Sequence, residues 1–394
     1  MSMFQSIAVL GDGITAKAVI KKATELDVSI VPISDAAVVI ASPGIPPNDF
    51  PNVSVPIISE LDYAYLLLQK FSPTTQIIAV TGTNGKSTVT SLISHLLGCP
   101  AVGNIGVPFI SLISPEMTMP SVCVEVSSYQ LETSQYFQSD VALLLNVVED
   151  HLARHGTMSN YCAQKQRLIE NMTANQVVFY NPQDAYIPTM IPHTQAQCIP
   201  FITPSELAPS LPDQWENGHL ALNAVAGLMV AEYFGYTTAD CYKKLNSFSF
   251  LPHRLEPVTV DSDRLFINDS KATNPHATLT AVSSCQSPIH LILCGENKHV
   301  GLASFLAQLS NNVLSITVFG DLSAVLHPFL DHIKVPVFST TTLPEAVQRA
   351  YHASSPGDTI LFSPSSSSYD QFNGFEDRGD QFKRYVQSHF CTVY

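Results

Sequence analysis

A strand-like run, Gln76-Ile77-Ile78-Ala79-Val80, delivers the chain directly into Thr81-Gly82-Thr83-Asn84-Gly85-Lys86-Ser87-Thr88, and a helical pattern follows to about Leu97. A glycine-bearing turn between a buried strand and a helix gathers backbone N–H groups at the helix N-terminus, where phosphate oxygens bind. Lys86 brings a point charge to the terminal phosphates, and Ser87 or Thr88 a hydroxyl for a divalent cation. The strict loop pattern has glycine where Val80 stands, so this loop is a shorter variant. Gly82, Thr83, Asn84, Gly85, Lys86, Ser87 and Thr88 are the candidate nucleotide-phosphate residues, and the junction demands an α/β sheet.

The rest of the chain repeats that alternation. A first block, roughly residues 1–72, has strands at Ser6–Leu10, Val28–Ile33 and Ala37–Ala41 around a helix pattern that ends near Asp27. Phe71-Ser72-Pro73-Thr74-Thr75 reads as a linker. A second block, 73–251, adds strands at Val122–Val126, Val141–Val147 and Gln176–Tyr180 to the loop-bearing strand. A third, 252–394, has strands at Arg264–Asn268, His290–Cys294, Ser315–Phe319 and Thr359–Ser363, then a helix at about Phe375–Ser388. Strands alternating with helices imply parallel sheets. The expected fold is α/β in three domains: a Rossmann-like N-terminal domain, a central P-loop ATPase-like domain and a Rossmann-like C-terminal domain.

Charge narrows the function classes. The chain carries 19 Lys+Arg against 33 Asp+Glu, a formal net charge of −14, which argues against broad binding to nucleic acid or anionic membranes. No apolar run approaches the ~20 residues of a membrane span, and Met1-Ser2-Met3-Phe4-Gln5 has no basic stretch before an apolar one, so no secretory signal is expected. The eight cysteines are scattered without a CxxC pair and read as reduced residues of a cytoplasmic protein.

Two further strand ends carry chemistry. One runs into Glu125-Val126-Ser127-Ser128-Tyr129-Gln130 and the next into Asn146-Val147-Val148-Glu149-Asp150-His151. Open α/β sheets bind ligands at strand C-termini. A carboxylate and a neutral imidazole there suit Mg²⁺ when phosphates complete the coordination. Singly, Glu125 reads equally well as a solvated strand end and His151 as a hydrogen-bonded loop histidine; together, after a phosphate loop, the metal reading prevails.

These segments, with Glu125-Val-Ser-Ser-Tyr-Gln-Leu-Glu132, Pro252-His253-Arg254, Asp269-Ser-Lys-Ala-Thr-Asn274 and Ser363-Pro364…Asp370-Gln371-Phe372, resemble the Mur ligases over all three blocks. Within that family they are most similar to the D-glutamate-adding branch. The resemblance implies an ATP-dependent acid–amino-acid ligase of peptidoglycan precursor synthesis: a monomer whose substrates are UDP-N-acetylmuramoyl-L-alanine, D-glutamate and ATP. Amide formation would pass through an acyl phosphate. It also implies two Mg²⁺ sites, with Ser87, Glu125, His151 and a carbamylated Lys165 as ligands; on the residues alone, Lys165 reads as a solvated helix lysine. Lys86, Glu125, His151, Lys165 and Arg254 become the catalytic set, with Arg254 on the γ-phosphoryl oxygens. Asp269 and Lys271 become nucleotide contacts and Asn223 an adenine contact, while His253 reads as a structural hydrogen-bonder.

For D-glutamate the implied contacts are Thr273, Lys298, Ser368 and Phe375. For the UDP end they are Gly13, Ile14, Thr15, Ser42, Pro43, Gly44, Asn104, Ser127 and Gln130. Gly11-Asp12-Gly13-Ile14-Thr15-Ala16 by itself also fits a dinucleotide turn, with Asp35 downstream. Three departures stand out: Leu220 where the family has asparagine, Ala153 where it has aspartate, and a first block shorter than usual. Folylpolyglutamate synthase, a sister Mur ligase and a non-catalytic nucleotide-binding module are the competing readings. The first mismatches at Lys86-Ser87, where its loop has Gly-Lys-Gly-Ser.

Overall fold

The computed structural model describes residues 5–207, 210–215, 218–296, 302–326, 329 and 333–390. The chain forms three sheets. The first is parallel and four-stranded, from β1 (Ser6–Leu10), β2 (Ser29–Ile30), β3 (Val38–Ala41) and β4 (Ile57–Ser59), in the order β2-β1-β3-β4. The second comprises β5 (Gln76–Thr81), β6 (Ala101–Gly103), β7 (Ser121–Glu125), β8 (Val141–Leu144), β9 (Val177–Tyr180) and β10 (Gln197–Pro200), in the order β10-β9-β8-β5-β7-β6. All its pairings are parallel.

Five of the six residues of β5 are buried between β7 and β8, with Ile78 opposite both Cys123 and Val141. Strand order turns about β5, so the phosphate loop leaves the sheet where α/β folds open a ligand crevice. The following helix, Lys86–Leu97, begins and ends at left-handed glycines, Gly85 and Gly98. It buries Val89, Leu92, Ile93 and Leu96, one helical face. Helix Gly218–Tyr233 packs there. It is apolar on most faces and mostly buried, and Gly227 lets it approach, since a Cβ would meet Leu92 Cδ2 at 2.6 Å.

The first two sheets share one core that includes Ile7, Val38, Ile58, Leu61, Ile77, Phe109 and Val124. Residues 1–248 accordingly form one compact unit and 249–394 a second. Polar staples reinforce the first unit. Buried Asp62 closes a capping box with Ser59 at the start of helix Glu60–Phe71. Its carboxylate also accepts the N–H groups of Gln135, Tyr136 and Phe137, at 2.8–3.0 Å, and the Ser134 hydroxyl. Neighbouring Glu60 accepts the Ile110 N–H at 2.6 Å, and burial pushes its carboxyl up to about 7.

The second unit holds the third sheet, from β11 (Glu256–Val258), β12 (Leu265–Asn268), β13 (Ile289–Cys294), β14 (Val313–Phe319), β15 (Val337–Ser339) and β16 (Thr359–Ser365). Its order is β11-β12-β16-β13-β14-β15, parallel except for the antiparallel edge strand β11. Every residue of β13 and β16 is buried, and apolar clusters cover both faces. Helix Phe375–Phe390 closes the unit. No helix among the described residues is long and apolar enough to cross a membrane.

Relative to the sequence expectations, the central strands and the loop helix fall within a few residues of their observed bounds. Strands β4, β6, β10, β11 and β15 were not singled out from the sequence: each is only three or four residues long and lies at a sheet edge, where one flank has no partner strand. β2 covers two residues rather than six, also at an edge.

Glu60 generates a stability prediction. Its folded pKa lies above the unfolded value, so its neutral form stabilises fully below pH 4.5 and that contribution is lost as pH rises through about 7. Glu60→Gln keeps the acceptor and cannot charge. Its stability relative to wild type should rise by roughly 1–3 kcal/mol between acid and mildly alkaline pH, measured by urea unfolding. A pH-independent difference would refute the assignment.

Candidate active site

The phosphate loop is shaped by side chains behind it. Asn146, just beyond β8, donates through Nδ2 to the Asn84 carbonyl at 3.0 Å, and its Oδ1 accepts the Asn84 N–H at 2.8 Å. The Asn146 carbonyl accepts the Thr83 N–H at 2.8 Å. Thr83 Oγ1 pairs with the Tyr161 hydroxyl at 3.0 Å. Gly85 has φ +85°, and a Cβ there would meet Asn223 Oδ1 at 2.7 Å, so glycine is required on both counts. Asn223, on the helix packed behind the loop, is buried.

Two lysines converge on the Gly82 carbonyl. Lys86 Nζ donates to it at 3.0 Å and to the Thr83 carbonyl at 2.9 Å. Lys165 Nζ donates to it at 2.8 Å and lies 4.6 Å from the centre of the Tyr161 ring. Lys165 is only 1% exposed. Burial, with the Lys86 charge second, holds its amine well below the usual lysine range. A polar-looking helix face therefore conceals a buried amine, and Tyr161 and Lys165, one turn apart, are the signal for it.

Glu125 ends β7 in a buried position. Its Oε1 accepts from Asn104 Nδ2 at 2.8 Å, and its buried Oε2 has no hydrogen-bond partner among the described residues. An orphaned carboxylate oxygen fits a hard cation. His151 has φ +56°, and its Nδ1 pairs with the Tyr129 hydroxyl at 3.1 Å. No group of three or more His, Cys, Asp or Glu among the described residues could hold a metal alone, so a magnesium ion here would draw further ligands from phosphates and water.

Of the residues expected at the UDP end, Gly13 precedes helix Ile14–Glu25 and Ile14 and Thr15 open it. Ser42 lies against Gly11, where a Cβ would meet its Oγ at 2.6 Å. Arg154 was not singled out from the sequence. It donates to Glu132 at 2.6 Å and to the carbonyls of Pro43, Gly44 and Ile45 at 3.1–3.4 Å, pinning the Ser42–Gly44 turn. Ser127 and Gln130 form a capping box at helix Ser128–Leu131. Ala153 is solvent-exposed, so the loss of aspartate there removes no buried contact.

In the second unit, His253 and Leu255 flank Arg254 with φ of +63° and +46°. Such non-glycine conformations cost on the order of 1–2 kcal/mol each and need locking. The locks are visible: the His253 N–H donates to Glu256 Oε2 at 2.9 Å and the Leu255 N–H to Asp269 Oδ1 at 3.2 Å. His253 Nδ1 lies 2.9 Å from Asn268 Nδ2, in keeping with the structural role expected of it. Asp269 also accepts the Ser363 hydroxyl at 2.7 Å, and burial pushes its carboxyl up to about 7. Lys271 Nζ lies 3.7 Å from the centre of the Phe375 ring, and the Ser270 hydroxyl donates to the Phe375 carbonyl at 2.8 Å. Ser368 is buried, and its carbonyl accepts the Phe372 N–H at 2.9 Å. Thr273 lies in the same loop as Lys271; Lys298 lies outside the described residues.

A phosphate loop with an inward lysine, a buried amine beneath it and an orphaned carboxylate on the next strand defines a nucleotide-dependent enzyme. Residues 80–224 match the Mur ligase middle domain and 253–366 the Mur ligase glutamate ligase domain. The chain is 32% identical over 363 residues to UDP-N-acetylmuramoylalanine–D-glutamate ligase of Thermosipho africanus, covering 90% of this chain and 85% of that one. It is 33% identical to the Bacteroides fragilis protein of the same name, covering 90% and 86%. Among solved structures, MurF from Acinetobacter baumannii superposes with TM-score 0.66 at 15% identity, covering 97% and 94%. MurF of Thermotoga maritima, in complex with ADP, gives 0.64 at 17%, covering 96% and 94%. A bifunctional folylpolyglutamate synthase/dihydrofolate synthase from Yersinia pestis gives 0.58 at 17%, covering 78% and 90%, so the fold alone does not separate these chemistries. The chain belongs to the Mur ligase family and is an ATP-dependent, amide-bond-forming ligase.

The clamp on Asn84 yields a prediction. Asn146→Ala removes both side-chain bonds that shape the loop, and nucleotide affinity should fall about tenfold or more in calorimetric titration. Unchanged affinity would contradict the role given to Asn146.

Proposed function

We propose that the chain joins D-glutamate to the alanyl carboxylate of UDP-N-acetylmuramoyl-L-alanine, at the expense of ATP, as a cytoplasmic step of peptidoglycan precursor synthesis. The observation that carries this reading is the near full-length likeness to relatives bearing that name, joined to a phosphate loop with Lys86 and Lys165 on one carbonyl. The reading takes the chain to act as a monomer.

In this reading a carboxylate oxygen of the UDP substrate attacks the γ-phosphorus, the bond from that phosphorus to the β-bridging oxygen breaks, and ADP leaves. The amine of D-glutamate then attacks the acyl carbon. Phosphate departs with one former carboxylate oxygen, and the amine nitrogen gives up a proton. Two anions must meet in a chain with net charge −14, so local cations decide the barrier. The loop N–H groups and Lys86 hold the triphosphate, Asn223 the adenine, and Asp269 and Lys271 the rest of the nucleotide. Arg254 provides a bidentate donor for the γ-phosphoryl oxygens. Gly13–Thr15, Ser42–Gly44, Asn104, Ser127 and Gln130 hold the UDP substrate; Thr273, Lys298, Ser368 and Phe375 hold D-glutamate. Magnesium, held by Ser87, Glu125, His151 and Lys165 in carbamylated form at two sites, would neutralise triphosphate charge.

Carbamylation suits the chemistry of Lys165. A lowered pKa favours the neutral amine, the form that attacks carbon dioxide and loses a proton to give a carbamate anion. Purified protein supplied with ¹³C-bicarbonate should show a carbamate carbonyl resonance that Lys165→Met removes, and wild-type activity should fall when bicarbonate is withdrawn. A resonance unaffected by that substitution would count against the assignment.

Substrate choice is tested by phosphate release with UDP-N-acetylmuramoyl-L-alanine and ATP. D-Glutamate should support turnover while L-glutamate, L-lysine and diaminopimelate do not, and Lys86→Ala should reduce the rate about 100-fold or more. Equal release with any of the other amino acids would overturn the proposal.

A further inference from the structure

Arg378, on helix Phe375–Phe390, is wholly buried, yet no carboxylate lies within hydrogen-bonding distance of it among the described residues. Its guanidinium is spent on loops instead. Nε donates to Ser270 Oγ at 3.0 Å and Nη2 to the Ser270 carbonyl at 2.8 Å. Nη1 donates to the Ser366 carbonyl at 3.0 Å and lies 3.8 Å from Cys294 Sγ. One planar fork thus joins the loop after β12, the segment after β16 and the end of β13.

Those anchors sit beside the residues proposed to hold the amino acid. Ser270 lies three residues before Thr273 and passes the constraint on by donating to the Phe375 carbonyl at 2.8 Å; it is also flanked by Asp269 and Lys271, proposed to hold the nucleotide. Ser366 lies two residues before Ser368. The fit around the fork is tight: a Cβ on Gly295 would meet the Ser367 carbonyl at 2.1 Å and Arg378 Nη1 at 3.2 Å. A buried cation without a bonded counter-ion is expensive unless the geometry it imposes is used, and its field favours an anion nearby. Asp370 and Asp269 are its more distant acidic neighbours.

Resting on the D-glutamate reading above, we propose that Arg378 is the positioning residue of the acceptor site, fixing the Ser270, Ser366 and Phe375 backbones in the one arrangement that receives an acidic amino acid. It touches no reacting atom and acts through the loops.

The test is steady-state kinetics of R378M and R378K, at a temperature where urea unfolding shows both fully folded, with each substrate varied in turn. R378M should raise the KM for D-glutamate about tenfold or more, since small misplacements of a binding group are amplified in this way. R378K should fall between, because lysine keeps the charge and loses the fork. The KM for ATP should rise several-fold less than that for D-glutamate, since Ser270 adjoins the nucleotide contacts but the Ser366 and Phe375 anchors do not; general loosening of the unit would raise both alike. Where R378M does not fold, Ser270→Ala removes the shared hydroxyl and should raise the D-glutamate KM about threefold. A D-glutamate KM unchanged in the folded variants, or an ATP KM rising in step with it, overturns the inference. Absence of D-glutamate-dependent phosphate release by the wild type would overturn the functional reading and this inference together.

Discussion

The Gly82 carbonyl receives two lysines, and the chemistry proposed for the first unit depends on that convergence. Two ammonium groups on one buried carbonyl would repel strongly, and the structure relieves this by desolvating Lys165, whose amine is held below the usual lysine range. The two lysines share an acceptor but differ in surroundings: Lys165 is buried and Lys86 is partly exposed. Asn146 and Tyr161 keep the loop in the shape this needs, and Gly85 supplies the backbone conformation no other residue tolerates well.

The second unit solves a related problem differently. There the loops after β12 and β16 are held less by a strand–helix junction than by side chains beneath them. The strained backbone around Arg254 is locked by Glu256 and Asp269, and the Ser270 and Ser366 segments by Arg378. Asp269, with its carboxyl raised to about 7, is thus a structural acceptor for Leu255 as well as a candidate nucleotide contact.

Much of this was legible in the amino-acid order. Buried central strands announce themselves as apolar runs, and the glycine–lysine junction places itself at a strand end without help from tertiary structure. Edge strands β4, β6, β10, β11 and β15 escape because three or four residues are too few to show a periodicity. The roles of Arg154 and Arg378 are equally hidden: an arginine on a mixed helix looks solvated until the fold shows which carbonyls it serves. Lys165 marks the boundary, since it was singled out from a motif but its burial and its lowered pKa are visible only in three dimensions.

The most direct measurement follows one oxygen atom. UDP-N-acetylmuramoyl-L-alanine labelled with ¹⁸O in its alanyl carboxylate, turned over with ATP and D-glutamate, should release inorganic phosphate carrying one labelled oxygen. That transfer can occur only if the carboxylate was phosphorylated before the amine arrived. Phosphate free of label, with the amide nevertheless formed, would contradict the account.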